Sequence, residues 1–127
     1  MERYQAVLFC ERVLRREVES VEKIKSSYVP IEVESLCLTK DNIGEVLSEI
    51  SQILFRDKTL SIGNVYAFLA FSINVDEYLH STDWYSRDIL VAVIAKILYD
   101  IKFRPVILVE RSYIERILNW LYGLIFK

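Results

Sequence analysis

His80 is the only histidine in the chain, and Cys10 and Cys37 are the only cysteines. No second His or Cys stands near His80 in sequence to complete a metal site or a nucleophile–base pair, so it reads as a surface histidine. The two cysteines are too far apart for a CxxC pair and too few for a disulfide scaffold. They read as small buried hydrophobes in a reducing, intracellular compartment. Paired carboxylates do acid–base work when burial splits their pKa values. Glu32 with Glu34 and Asp76 with Glu77 are such pairs, but none falls inside an apolar run, and solvated faces or loop charges are predicted for them. There is no glycine-rich dinucleotide loop, no phosphate-binding P-loop, no GxSxG elbow and no HExxH helix. Neither catalysis, a metal, a cofactor nor a small-molecule substrate is predicted.

With 127 residues, of which 53% are hydrophobic, the chain is the length of one ordinary domain with a real core. Sixteen Lys+Arg against 18 Asp+Glu leave a formal net charge of −2, which argues against nucleic acid as a partner. Only 3 Gly and 2 Pro remain for turns, too few for an all-β barrel or sandwich. The opening Met1-Glu2-Arg3-Tyr4 carries no signal-peptide pattern, and no stretch reaches the length of a spanning helix.

The elements that must position any site are helical. Tyr4, Val7, Leu8, Leu14, Val18 and Val21 predict one amphipathic helix running to about Lys25. Ser26 to Ser35 contains Pro30 and alternates apolar with polar residues, predicting an extended connector. Asn42 followed by Glu45 suggests a capping box for a helix whose apolar face is Ile43, Val46, Leu47, Ile50, Ile53 and Leu54. Val65–Phe71 and Ile89–Ala95 are uninterrupted apolar runs. Ala67, Ala70, Ala92 and Ala95 favour helix over strand there, giving a hydrophobic hairpin turned at Ser81-Thr82-Asp83 and surrounded by amphipathic helices. Pro105 ends its second arm, and Tyr113, Ile114, Ile117, Leu118, Leu121 and Tyr122 mark a further helix. One all-α domain over residues 1–127 is predicted. Eight Tyr, 6 Phe and 2 Trp exceed one simple core face, and such surplus apolar surface is the usual material for accepting a partner helix.

The stretch Leu54-Phe55-Arg56-Asp57, followed by Gly63 and by Ala67-Phe68 within an apolar run, resembles the first homology motif of the Bcl-2 family of apoptosis regulators. The helical order agrees with that family's. Arg104-Pro105, Ser112-Tyr113 and Leu121-Tyr122-Gly123 resemble the second motif, with Tyr113 where a tryptophan is usual. For the third motif, BH3, no Leu-x-x-x-Gly-Asp occurs; Leu36 to Asp41 has Lys40 in the glycine's place. The resemblance implies a Bcl-2-like bundle that inhibits apoptosis by sequestering the BH3 helices of pro-apoptotic host proteins. In its short length the chain looks most like a viral member. By position, the groove would be lined by Ile50 and Leu54, by Ser61, Ile62, Gly63 and Asn64, by Tyr66, Ala67 and Phe71, and by Tyr122.

Two departures qualify that expectation. The family's motif arginine, which pairs with an aspartate of the incoming helix, is replaced by Asn64. Loss of one member of a desolvated charge pair typically costs about 2–5 kcal/mol, so a narrow partner range follows, unless Arg56 or Lys58 compensates. The connector at Ser26–Ser35 abbreviates one groove wall, and uncovered apolar surface predicts a homodimer. The tail Leu118–Lys127 is too short for the family's membrane anchor, so a cytoplasmic protein reaching the mitochondrial surface through its partners is expected. A Bcl-2-like fold serving a different protein partner, or a bundle whose hydrophobic hairpin enters a bilayer, are the competing readings.

Overall fold

The computed structural model describes residues 3–27, 31–55, 62–101 and Gly123, and over residues 3–101 its described part forms five α-helices and one short 3₁₀ helix. In chain order these are α1 (Arg3–Leu14), α2 (Val21–Lys25), the 3₁₀ helix Val33–Leu36, α3 (Ile43–Leu54), α4 (Ile62–Leu79) and α5 (Arg87–Asp100). No strand occurs among the described residues, in agreement with the all-α expectation. Arg56, Lys58, Ser61, Pro105, the expected helix at 113–122 and Tyr122 lie outside them. None of the described helices is long and apolar enough to cross a membrane.

The expected single N-terminal helix is two. α1 closes in a Schellman arrangement, with the Arg16 N–H bonded to the Val13 carbonyl (3.0 Å) and the Glu17 N–H to the Arg12 carbonyl (2.9 Å). This motif needs a left-handed residue, and Arg16 takes φ 58° where glycine is usual. The buried stripe also differs from the one expected. Ala6, Phe9, Cys10, Val13 and, as expected, Leu14 face the core, whereas Tyr4 and Leu8 are exposed. Both sets have helical spacing, and packing against α5, the most extensive contact α1 makes, selects the first.

Part of the predicted extended connector is the 3₁₀ helix, closed by Cys37 at φ 49°. Cys37 is therefore exposed, contrary to expectation, while Cys10 is buried. The capping box of α3 also sits three residues earlier than predicted. Thr39 Oγ1 accepts from the Asn42 N–H (3.2 Å), and Asn42 Oδ1 accepts from the Thr39 N–H (2.6 Å). The Ile43 N–H reaches the Thr39 carbonyl at 3.0 Å, so helical bonding begins at Thr39, with Asn42 in the place expected of Glu45.

α4 is the hub, touching α1, α2, α3, α5 and the 3₁₀ helix. From Phe68 to Ile73 every residue is buried, as a helix apolar on all sides requires. Ser72 is tolerated there because its hydroxyl donates to the Phe68 carbonyl at 2.9 Å. Phe55, just past α3, packs edge-on against Phe68 with centroids 6.0 Å apart. The second arm is less apolar than its sequence run suggests. α5 buries Leu90, Val91, Ile94, Ala95, Ile97 and Leu98 but exposes Ala92, Lys96 and Tyr99, so it lies at the surface with one face inward. Its N-cap is Ser86 rather than a residue of Ser81-Thr82-Asp83, which belong to the turn.

Candidate functional site

The expected groove residues fall on the α3 C-terminal half and the α4 N-terminal half, joined by residues outside the described set. Ile50 and Phe71 are buried, with Phe71 at 0% exposure, so both are core and Phe71 offers no accessible wall. Leu54 and Tyr66 are half-buried and pack against that same core. Ala67 and Asn64 are also half-buried, and Gly63 is exposed. Ile62 opens α4, but its side chain lies outside the described set. The structure thus brings Ile50, Leu54, Tyr66 and Phe71 into one apolar assembly, of which Leu54 and Tyr66 reach the surface.

Gly63, like Gly44, is a helical glycine that no described residue calls for. Its φ is not positive, and a Cβ built on it would meet no atom within 4 Å. A helical glycine is about 1 kcal/mol less favourable than alanine, and no described residue compensates that cost.

Two residues of the predicted α3 apolar face that lie outside the expected groove set share this helix with Ile50 and Leu54. Val46 is half-buried and Ile53 is 60% exposed. They lie seven residues apart on α3, beside Ile50, and Glu49 and Glu45 follow further round the helix. Both glutamates are exposed, and no ion pair joins either to another described residue. The signal was present as the outer margin of the apolar stripe, but the sequence alone does not say which margin stays uncovered.

A buried polar cluster departs from the sequence expectation. Asp76 was expected on a solvated face, yet it is 2% exposed near the C-terminal end of α4. Its Oδ1 accepts from the Tyr85 hydroxyl at 2.6 Å and from Arg87 Nε at 3.3 Å. Its Oδ2 accepts from Arg16 Nη1 at 3.1 Å and from Arg87 Nη2 at 3.2 Å. Arg16 also donates to Glu77 Oε1 at 3.0 Å and to the Leu14 carbonyl. Two arginines against two carboxylates balance the formal charge. Burial acts to raise the Asp76 carboxyl, but hydrogen bonds from Tyr85, Arg87 and Arg16 outweigh it and hold the group below the usual carboxylate range. Burial, the hydrogen bond to Asp76 and that residue's negative charge raise the Tyr85 phenol above its ordinary value.

This cluster ties the link after α1 to the hairpin of α4 and α5. It also accounts for the left-handed Arg16, since the guanidinium contacts offset a backbone cost of about 1–2 kcal/mol. No open catalytic pair results, because both carboxylate oxygens are already occupied. His80 is exposed on the turn, as expected, and no group of three or more His, Cys, Asp or Glu among the described residues could hold a metal ion. Comparison with protein-family models, with curated proteins and with solved structures finds no match for the chain.

Proposed function

We propose that the chain is a Bcl-2-like inhibitor of apoptosis that holds the BH3 helix of pro-apoptotic proteins against the surface between α3 and the start of α4, and that it performs no catalysis. The observation that carries this reading is Gly63, which, unlike half-buried Gly44, is exposed, stands in the first turn of α4 and is required as a glycine by no described residue. Glycine is useful where a second backbone must approach closely, and a helix laid across the start of α4 is such an approach. Support also comes from the motif residues Leu54-Phe55-Arg56-Asp57 leading into it, and from half-buried Leu54 and Tyr66, which present apolar surface on either side. Asn64 beside Gly63 supplies no positive charge, so only partners whose apolar anchors suffice are held, and the range is narrow.

Calorimetric titration against a panel of BH3 peptides tests the reading. Submicromolar binding to one or a few, weakened at least tenfold by Gly63→Leu and broadened by Asn64→Arg, is expected. Silence across the panel from a folded protein overturns it. So does binding that Gly63→Leu leaves unchanged.

A further inference from the structure

The α3 helix leaves Ile53 60% exposed, with half-buried Val46 two turns before it on the same flank, and edges that flank with one sign of charge. Inward-facing Ile43, Leu47, Ile50 and Ser51 fix the buried side of the helix. At about 100° per residue, Val46 and Ile53 fall together next to Ile50, and Glu49 and Glu45 come next round the circumference. Val46 and Ile53 are separated by two turns, roughly 10.5 Å along the axis, which matches apolar anchors at i and i+7 on an opposing helix. Glu49 lies in the turn between them. The helix carries no Lys or Arg, and neither glutamate is neutralised by another described residue.

Resting on the helix-binding reading above, we propose that this flank selects among amphipathic partner helices by charge, favouring those with Lys or Arg beside the apolar stripe. The anions Glu45 and Glu49 stand beside Val46 and Ile53, where a basic ligand side chain gains and an acidic one is repelled. Apolar contact with Val46 and Ile53 supplies the affinity, and the glutamates supply the discrimination.

The test uses two BH3-pattern peptides with identical apolar anchors, one with Lys and one with Glu at the positions flanking them, titrated by calorimetry at low and high salt. The Lys peptide should bind roughly tenfold tighter at low salt, as two exposed charge pairs allow, and the preference should shrink as salt screens them. Glu45→Lys with Glu49→Lys should abolish or invert the preference, and Ile53→Asp should weaken both peptides at least tenfold. Ile53 is exposed, so these variants keep the native fold, verified by circular dichroism.

Equal affinities for the two peptides, or a preference that survives charge reversal, overturn the inference while leaving the helix-binding reading intact. Failure of both peptides overturns the two together. If light scattering shows a dimer that Ile53→Asp dissociates without changing peptide affinity, the flank is a contact between two copies of this chain, and the inference falls.

Discussion

Replacing Asp76 by asparagine keeps the shape of the side chain and removes its charge, which isolates the electrostatic role of the buried cluster. In the native protein four donors converge on this carboxylate. An amide can still accept from Tyr85 and Arg87 Nε through its oxygen, but its nitrogen then faces the donors of Arg16 and Arg87. Removing one partner of a fully buried charge pair costs about 3–5 kcal/mol. Here the Asp76 side chain is 3% exposed while Arg16 and Arg87 are 26% and 39% exposed, so water recovers part of the arginines' solvation and about 2–3 kcal/mol is expected. Against a total stability of about 6–15 kcal/mol that is a large fraction, and it should lower the urea midpoint by roughly 1–2 M.

The pH dependence has a definite sign. A carboxyl held low in the folded state contributes stability above its unfolded value near 3.9, and that contribution is lost as pH falls toward the depressed native value. The gap between parent and Asp76→Asn, followed by circular dichroism in urea, should therefore be full at pH 7 and close progressively as pH falls through and below the unfolded value. A midpoint within about 0.3 M of the parent at pH 7 would refute the cluster's role. A gap that stays constant with pH would refute the charge argument specifically.

Arg16→Gly should destabilise less than Arg16→Ala by about 1 kcal/mol, because glycine accepts φ 58° without strain while both lose the contacts to Asp76 and Glu77; equal losses in urea melts would contradict this. Tyr85 is raised, so its contribution is complete below the unfolded phenol value near 10 and lost as pH rises beyond it; Tyr85→Phe should flatten the alkaline limb of a stability–pH curve, and an unchanged limb would disprove it. In native protein a thiol reagent should label Cys37 rapidly and Cys10 only on unfolding, since Cys10 is buried and its thiol is raised by desolvation; two fast thiols would contradict the placement. Gly44→Ala should stabilise the protein by about 0.5–1 kcal/mol, as Gly44 lies in the first turn of α3 with nothing within 4 Å of a built Cβ, and a lower melting temperature would count against it.

What the sequence by itself determined was local: the existence of helices at Ile43–Leu54, Ile62–Leu79 and Arg87–Asp100, and the all-round burial of α4's middle. Those follow from periodicity and from runs such as Val65–Phe71, which short-range physics dictates. Where two local patterns competed, only packing chose. On α1, the stripe of Tyr4 and Leu8 and the stripe of Ala6, Phe9, Cys10 and Val13 are both helical in period, and the surface of α5 selected the second. Asn42 read as the start of a capping box and serves as its end, because Thr39 lay close enough to exchange hydrogen bonds with it. Asp76 looked like a solvated charge, since its partners Arg16 and Arg87 stand 60 and 11 residues away in the chain and meet it only when α1, α4 and α5 assemble. Gly63 was legible as a residue type, but its exposure, and that of Ile53 beside half-buried Val46, belong to the tertiary arrangement alone. A helix encodes its own apolar face, whereas which part of that face stays exposed depends on what the rest of the chain places against it.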